Sequence, residues 1–250
     1  MNFYITGDTH SNFSRIVQFC RQFNTEPNDL MVILGDVGIN TDDRDFDFQQ
    51  KTMLADLPIT LFCVHGNHEN RPQNLPSYKE KMYRNGVVFV EDEFPNLLFP
   101  SDGEIFDFDD QKCIVIGGAY SIDKLWRISD SQAWWADEQP SPEIRRRVED
   151  SLEDVNYKVD IVLTHTCPLK YIPREAFMNG VDQSTVDIAT ECWLDEIESK
   201  LDYSRWYCGH HHIDKEIDKV RFLFELFEQI GGISCEAAEL RGGKLHDEHA

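Results

Sequence analysis

The stretch LMVILGDVG, residues 30–38, sets five consecutive apolar side chains against a Gly-Asp-Val-Gly turn. An unbroken apolar run of this length, closed by glycine and an acid, reads as a strand buried on both faces with a polar turn at its carboxyl end. The same grammar recurs on either side. Residues 1–10, MNFYITGDTH, give a short apolar run over Asn2–Thr6 and then Gly7-Asp8-Thr9-His10; residues 59–69, ITLFCVHGNHE, give Ile59–Val64 and then Gly66-Asn67-His68-Glu69. Between them, Ser11–Phe23 carries Phe13, Ile16, Val17, Cys20 and Phe23 at helical spacing, and Phe46–Leu57 reads as a helix stopped by Pro58. Strand and helix in alternation predict an α/β fold with a parallel sheet and covering helices.

Downstream, Val87–Val90, Glu104–Asp109 and Lys112–Ile116 read as short strands, the last two as an antiparallel pair turning at 108–111. Gly117–Pro142 reads as a long functional connection, Glu143–Asn156 as a charged surface helix and Asp160–Thr164 as a buried strand. Lys170–Ser184 is loop-like. Thr185–Lys200 is helical, with Val186, Ala189, Trp193, Leu194 and Ile197 on one face. Arg205–Cys208 and Val220–Ile230 read as strands, and the tail 231–250 as weakly patterned and partly mobile. No internal repeat or linker interrupts the chain, so a single domain over residues 1–250 is expected.

Composition limits the function classes. Apolar residues at 41% are too many for a disordered chain. A formal charge of -22 repels nucleic-acid backbones and anionic membranes at long range, which disfavours a nucleic-acid partner and leaves small phosphorylated molecules open. The seven cysteines are odd in number, scattered and without a C-x-x-C pair, so neither a disulfide framework nor a zinc ribbon is expected. The opening residues lack a signal-peptide pattern and no long apolar run spans a bilayer; a cytoplasmic protein without membrane attachment is expected.

The chemistry is concentrated where strands end. Asp8-Thr9-His10, Gly35-Asp36, Gly66-Asn67-His68-Glu69, His165 and Gly209-His210-His211-His212 each follow an apolar run. Ligand sites in open parallel sheets gather beyond the carboxyl ends of strands, so these motifs can converge. In extended backbone, residues two apart share a side, which would let Asp8 and His10, and also His210 and His212, hold one ion together while His211 points elsewhere. Carboxylate, amide and imidazole donors in one site suit borderline divalent metals such as Mn, Fe or Zn better than Ca. Of the nine histidines, only His246 and His249 lie away from these motifs and their immediate neighbours.

The ordered pattern D-x-H, G-D, G-N-H-[DE], H, G-H-x-H, spanning Asp8 to His212, resembles that of calcineurin-like metallophosphoesterases. The resemblance implies a four-layer α/β/β/α sandwich of two mixed β-sheets. It implies that Asp8, His10 and His212 bind a first metal, that Asp36 bridges, and that Asn67, His165 and His210 bind a second. His68 would be the catalytic non-ligand beside the metals, and Glu69 would orient a histidine or a loop amide. Two divalent ions, Mn first and Fe or Zn next, would activate a hydroxide that attacks phosphorus in line, hydrolysing phosphomonoesters or phosphodiesters. The segment Gly117–Arg127 resembles a loop of a bacterial branch, and Tyr120, Lys124 and Arg127, with Trp134 or Trp135, are expected to bind substrate as a lid. The second motif, Gly35-Asp36-Val37-Gly38-Ile39-Asn40-Thr41, lacks the later acid and arginine of the protein-phosphatase form G-D-x-x-D-R-G, which argues against that specificity. A non-catalytic metal-binding scaffold on the same fold is the alternative.

Overall fold

A computed structural model describes residues 1–177 and 183–230. The expectation for the tail 231–250, and part of that for 170–184, lies outside them. The chain builds two mixed β-sheets. In the first, β1 (Phe3–Thr6), β2 (Leu30–Ile33) and β3 (Thr60–Cys63) run parallel, linked by α1 (Ser14–Phe23) and α2 (Arg44–Ala55). The hairpin of β4 (Tyr78–Tyr83) and β5 (Gly86–Glu91) leads to β6 (Leu97–Pro100), which joins β3 in parallel. The far edge is closed by β13 (Phe227–Ile230), antiparallel to β1.

The second sheet starts from the expected hairpin, β7 (Ile105–Phe108) with β8 (Gln111–Ile116). Strands β9 (Ile161–Thr164), β10 (Arg205–Cys208) and β12 (Val220–Phe222) follow in parallel, and β11 (Lys215–Ile217) pairs antiparallel with β12. Between them α3 (Lys124–Ser129) and α4 (Pro142–Asp154) precede β9, and α5 (Ala189–Glu198) precedes β10.

Three apolar cores make the layers. Leu30, Val32 and Leu34 point between the sheets, onto Phe62, Val64, Val115 and Leu163. Met31 and Ile33 point the other way, onto Ile16 and Phe19 of α1 and Leu54 of α2. Ile144, Val148 and Leu152 of α4 join Trp193, Leu194 and Ile197 of α5 over the outer face of the second sheet. A strand with covered faces on both sides needs apolar residues at every position, which explains the unbroken run 30–34. The result is the α/β/β/α sandwich.

Register brings the motifs level. Thr6 pairs with Ile33, which pairs with Cys63; Ile116 pairs with Thr164, which pairs with Cys208. The turns that follow these strands therefore emerge along one edge of the sandwich.

Several expected elements change. The run 220–230 is not one strand: the Asp214 carboxylate accepts the N–H groups of Phe224, Glu225 and Leu226 at 2.9, 3.2 and 3.2 Å, and the chain crosses there from one sheet to the other. The connection 117–142 holds a helix, α3. Helix α1 begins at Ser14 rather than Ser11 because His10 and Ser11 adopt left-handed backbone, at φ 44° and 64°. Helix α2 begins two residues early, where Asp43 caps it by accepting from Phe46 N. Helix α5 starts at Ala189, not Thr185.

Candidate metal centre

The level strand ends bring the polar motifs into one cluster. Asp8, His10 and His212 offer donor atoms within 4.8 Å of one another; so do His10, Asp36 and His68, and so do Asp8, Asp36 and His165. Asp36 is common to two of these groups. His10 Nε2 lies 3.8 Å from Asp8 Oδ2 and 3.7 Å from Asp36 Oδ2, and His165 Nε2 lies 3.6 Å from Asp36 Oδ1. His212 Nε2 is 3.3 Å from Asp8 Oδ2.

His210 belongs to none of those groups. Its ring packs against His165, with centroids 4.9 Å apart, and its main-chain N–H donates to Asp8 Oδ1 at 2.9 Å. His212 lies with Asp8 and His10, whereas the His210 ring lies against His165. The convergence is not strand alternation. His10, Asp36, His210 and His212 have φ of 44°, 46°, 64° and 49°, a left-handed conformation rare outside glycine. Such strain persists where the surroundings over-determine it, as functional sites do. Glycine is required where the backbone crosses a carboxylate: a Cβ on Gly66 would lie 2.1 Å from Asp36 Oδ1, and one on Gly209 2.2 Å from Asp8 Oδ1.

At His165 and Asn67, two acceptors face each other. His165 Nδ1 lies 2.7 Å from Leu34 O, an acceptor, so a neutral His165 spends its only N–H there. Its Nε2 lone pair then faces Asn67 Oδ1, also an acceptor, at 2.8 Å. His10 Nε2 and His212 Nε2 approach to 2.9 Å. Asp8 Oδ2 is buried without a full hydrogen bond. Lone pairs converging on shared space fit cations, and the carboxylate, amide and imidazole set fits divalent metals of intermediate softness.

Burial opposes ionisation of Asp36, but His165, His68, His10 and His210 around it win and hold its carboxyl below the ordinary range. Burial, with His165 and His211 nearby, holds His210 well below the usual imidazole range. The Asp8 hydrogen bond raises His212 instead. His68 is pushed down first by burial; Asp36 pulls the other way and Arg127 pushes further down. Its Nε2 stands 3.9 Å from Asp36 Oδ2.

Glu69 is fully buried and bonds loop amides, not a histidine. It accepts from Gly66 N at 2.8 Å, Val37 N at 2.9 Å and Gly38 N at 3.3 Å, tying the second and third motifs together. Burial and then Asp36 outweigh these amides and lift its carboxyl to about 8. His211 turns away onto Phe177, Phe222 and Cys167.

Of the expected lid residues, Arg127 reaches the cluster. Its Nη2 donates to His68 Nδ1, while Nε bonds Asp123 at 2.8 Å and Nη1 bonds Ala133 O at 3.0 Å. Lys124 and Tyr120 do not hydrogen-bond the cluster; Lys124 Nζ lies over the Trp134 and Tyr120 rings, at 4.4 and 5.3 Å. Two residues passed over in the sequence stand out: Ser121, which accepts from Asn67 Nδ2 at 2.9 Å, and buried Glu138, which accepts from Trp134 Nε1 at 2.7 Å. Only their place in the Gly117–Pro142 segment pointed to them.

No described helix is long and apolar enough to cross a membrane. Residues 1–214 match the family model of the calcineurin-like phosphoesterases. No curated protein sequence matches significantly. Similar solved structures include TT1561 of Thermus thermophilus, at 11% identity over 89% of this chain and 88% of that one, with a TM-score of 0.50. Another is Phosphopantetheinyl Hydrolase (PptH) from Mycobacterium tuberculosis, at 13% identity over 89% and 88%, with a TM-score of 0.47. At these identities the likeness concerns the fold.

Proposed function

The chain belongs to the calcineurin-like phosphoesterase family, and from that premise we propose that it is a dinuclear metal-dependent hydrolase of small phosphomonoesters or phosphodiesters. The observation that carries this is the facing of lone pairs around Asp36, with one group of donors on the Asp8 side and another on the His165 side. Asp8, His10 and His212 would hold one ion, Asn67, His165 and His210 the other, and Asp36 would touch both. When bound, divalent ions would supply positive charge to the phosphoryl oxygens and would acidify an attacking water. Manganese is the first candidate, with iron or zinc next.

The residues of the chain do the rest. With Arg127 donating to Nδ1, His68 carries its hydrogen on Nε2, the nitrogen nearer Asp36. That hydrogen serves the leaving oxygen or a phosphoryl oxygen. Arg127, fixed by Asp123 and Ala133, adds a cation beside the phosphoryl group; Tyr120 and Lys124 form the outer lid with Trp134. Glu69 holds the Asp36 and Asn67 turns in register. The reading takes the chain as one domain, supported by β11, β12 and β13, which lie beyond the matched residues and belong to the two sheets.

Manganese-loaded protein should hydrolyse p-nitrophenyl phosphate or its bis ester, lose that activity on chelation and regain it with metal. A panel of nucleotides, cyclic nucleotides, phosphopeptides and short oligonucleotides then ranks substrates. Protein that turns over neither ester, even when loaded with manganese, would be the scaffold instead.

A further inference from the structure

Beyond the ligands, we propose that Ser121 is a positioning residue that decides which end of the Asn67 amide faces the second metal position. This rests on the dinuclear reading above. An amide has two unlike ends: Oδ1 can ligate a cation, and the Nδ2 hydrogens repel one. Asn67 and Ser121 are both buried, at 2% and 0% exposure, so water does not arbitrate between the two orientations. Asn67 Nδ2 donates to Ser121 Oγ at 2.9 Å, which leaves Oδ1 beside His165 Nε2.

The hydroxyl proton of Ser121 sets this polarity. It has an acceptor within reach, the Asn67 main-chain carbonyl at 3.4 Å. With the proton there, Oγ is left to accept, and the Asn67 amide is the donor that fills it. The opposite amide orientation would draw the Ser121 proton to Asn67 Oδ1. It would also aim the Nδ2 hydrogens at His165 Nε2. That pairing would close the position to a cation, and it would cost the Ser121 bond to the Asn67 carbonyl. With its proton on that carbonyl, Ser121 favours the metal-competent orientation.

The device sits on a firm base. Arg71 Nε holds Asp137 O at 2.8 Å, and Arg71 Nη1 bonds Asp102 at 2.5 Å, while the Trp134 indole bonds Glu138 Oε2. The Glu138 carbonyl fits so closely over Gly118 that a Cβ there would meet it at 2.4 Å. The loop that carries Ser121 is thereby pinned to the turn that carries Asn67.

Ser121→Ala removes the acceptor and frees the amide. Outer partners of metal ligands typically contribute 10–100-fold in affinity. Calorimetric titration of metal-free protein with Mn2+, without substrate, should show one of two sites weakened by about that factor and the other unchanged. Ser121→Cys keeps the volume with a much weaker acceptor and should weaken the same site, which covers the case in which the alanine variant does not fold. Two Mn2+ sites of wild-type affinity in either folded variant would overturn the role of Ser121. Wild-type protein that binds no Mn2+ would overturn the dinuclear reading instead.

Discussion

His68 and Arg127 meet where holding a metal and using it part company. His68 belongs to the donor group around Asp36, yet its Nδ1 is occupied by the Arg127 guanidinium and its Nε2 stays 3.9 Å from the carboxylate. His68→Ala should keep full metal content, measured by elemental analysis, and lower turnover on manganese-loaded protein by about 10²–10⁴-fold, the range for a positioned proton donor. Loss of metal together with activity would reassign His68 as a ligand. Asp36→Asn should do the reverse and cost metal first. His211 offers a pH test. Burial first, and then His165, push it from 6.5 down to about 4. The unfolded chain therefore takes up the proton first, and the stability tied to neutral His211 is complete above 6.5 and is lost as pH falls toward about 4. In chelated protein, His211→Gln should flatten the fall in melting temperature across that window; an unchanged slope would clear His211 of the effect. At this scale the candidate ligands were legible because Asp, Asn and His carry their chemistry in their identity. Ser121 and Glu138 were not, because a serine or glutamate acquires its role only from what the fold sets beside it. The left-handed backbone at His10, His210 and His212 was hidden for a similar reason: alternation assumes extended chain, and these residues are not extended.

Among the elements, those whose burial is two-sided or cleanly amphipathic could be read directly. Strands β1, β2, β3, β8, β9 and β10 are apolar runs because both faces are covered. Strand β4 escaped notice because YKEKMY has no buried residue and lies along the sheet edge. Strand β6 is four residues closed by Pro100, and β11 is three polar-flanked residues, too short for a period to show. The break between β12 and β13 lay in a side chain ten residues upstream, Asp214, which no local pattern announces. Helix starts depend on such side chains too. Asp43 accepts from Phe46 N at 3.0 Å at the start of α2, and Asp43→Ala should lower stability by about 1 kcal/mol, within the usual range for a lost N-cap. Urea denaturation checks this: the midpoint should fall with an unchanged slope, whereas a changed slope would mean that more than the cap had moved.

For the whole molecule the decisive quantity is charge. A net charge of -22 makes the folded state self-repelling, and Asp8 and Asp36 add buried carboxylates to that burden. Cations bound at this edge of the sandwich would relieve both and would bind the folded chain alone, because the donors come from strand ends separated by most of the sequence. Folding stability should therefore track metal concentration. At a free concentration 100-fold above the dissociation constant one site contributes about 2.7 kcal/mol, and for a chain of this size each kcal/mol moves the melting temperature by about 2–4 °C. Millimolar MnCl2 should raise the melting temperature of chelated protein by roughly 5–10 °C per occupied site, and the rise should grow with the logarithm of metal concentration. Simple screening of the surface would act differently: it depends on ionic strength, and NaCl at matched strength would reproduce it. Equal shifts in MnCl2 and matched NaCl would mean that the acidity is only a surface property. A shift in MnCl2 alone, halved in Ser121→Ala at intermediate metal, would place the stabilisation at the two positions that Asp36 joins.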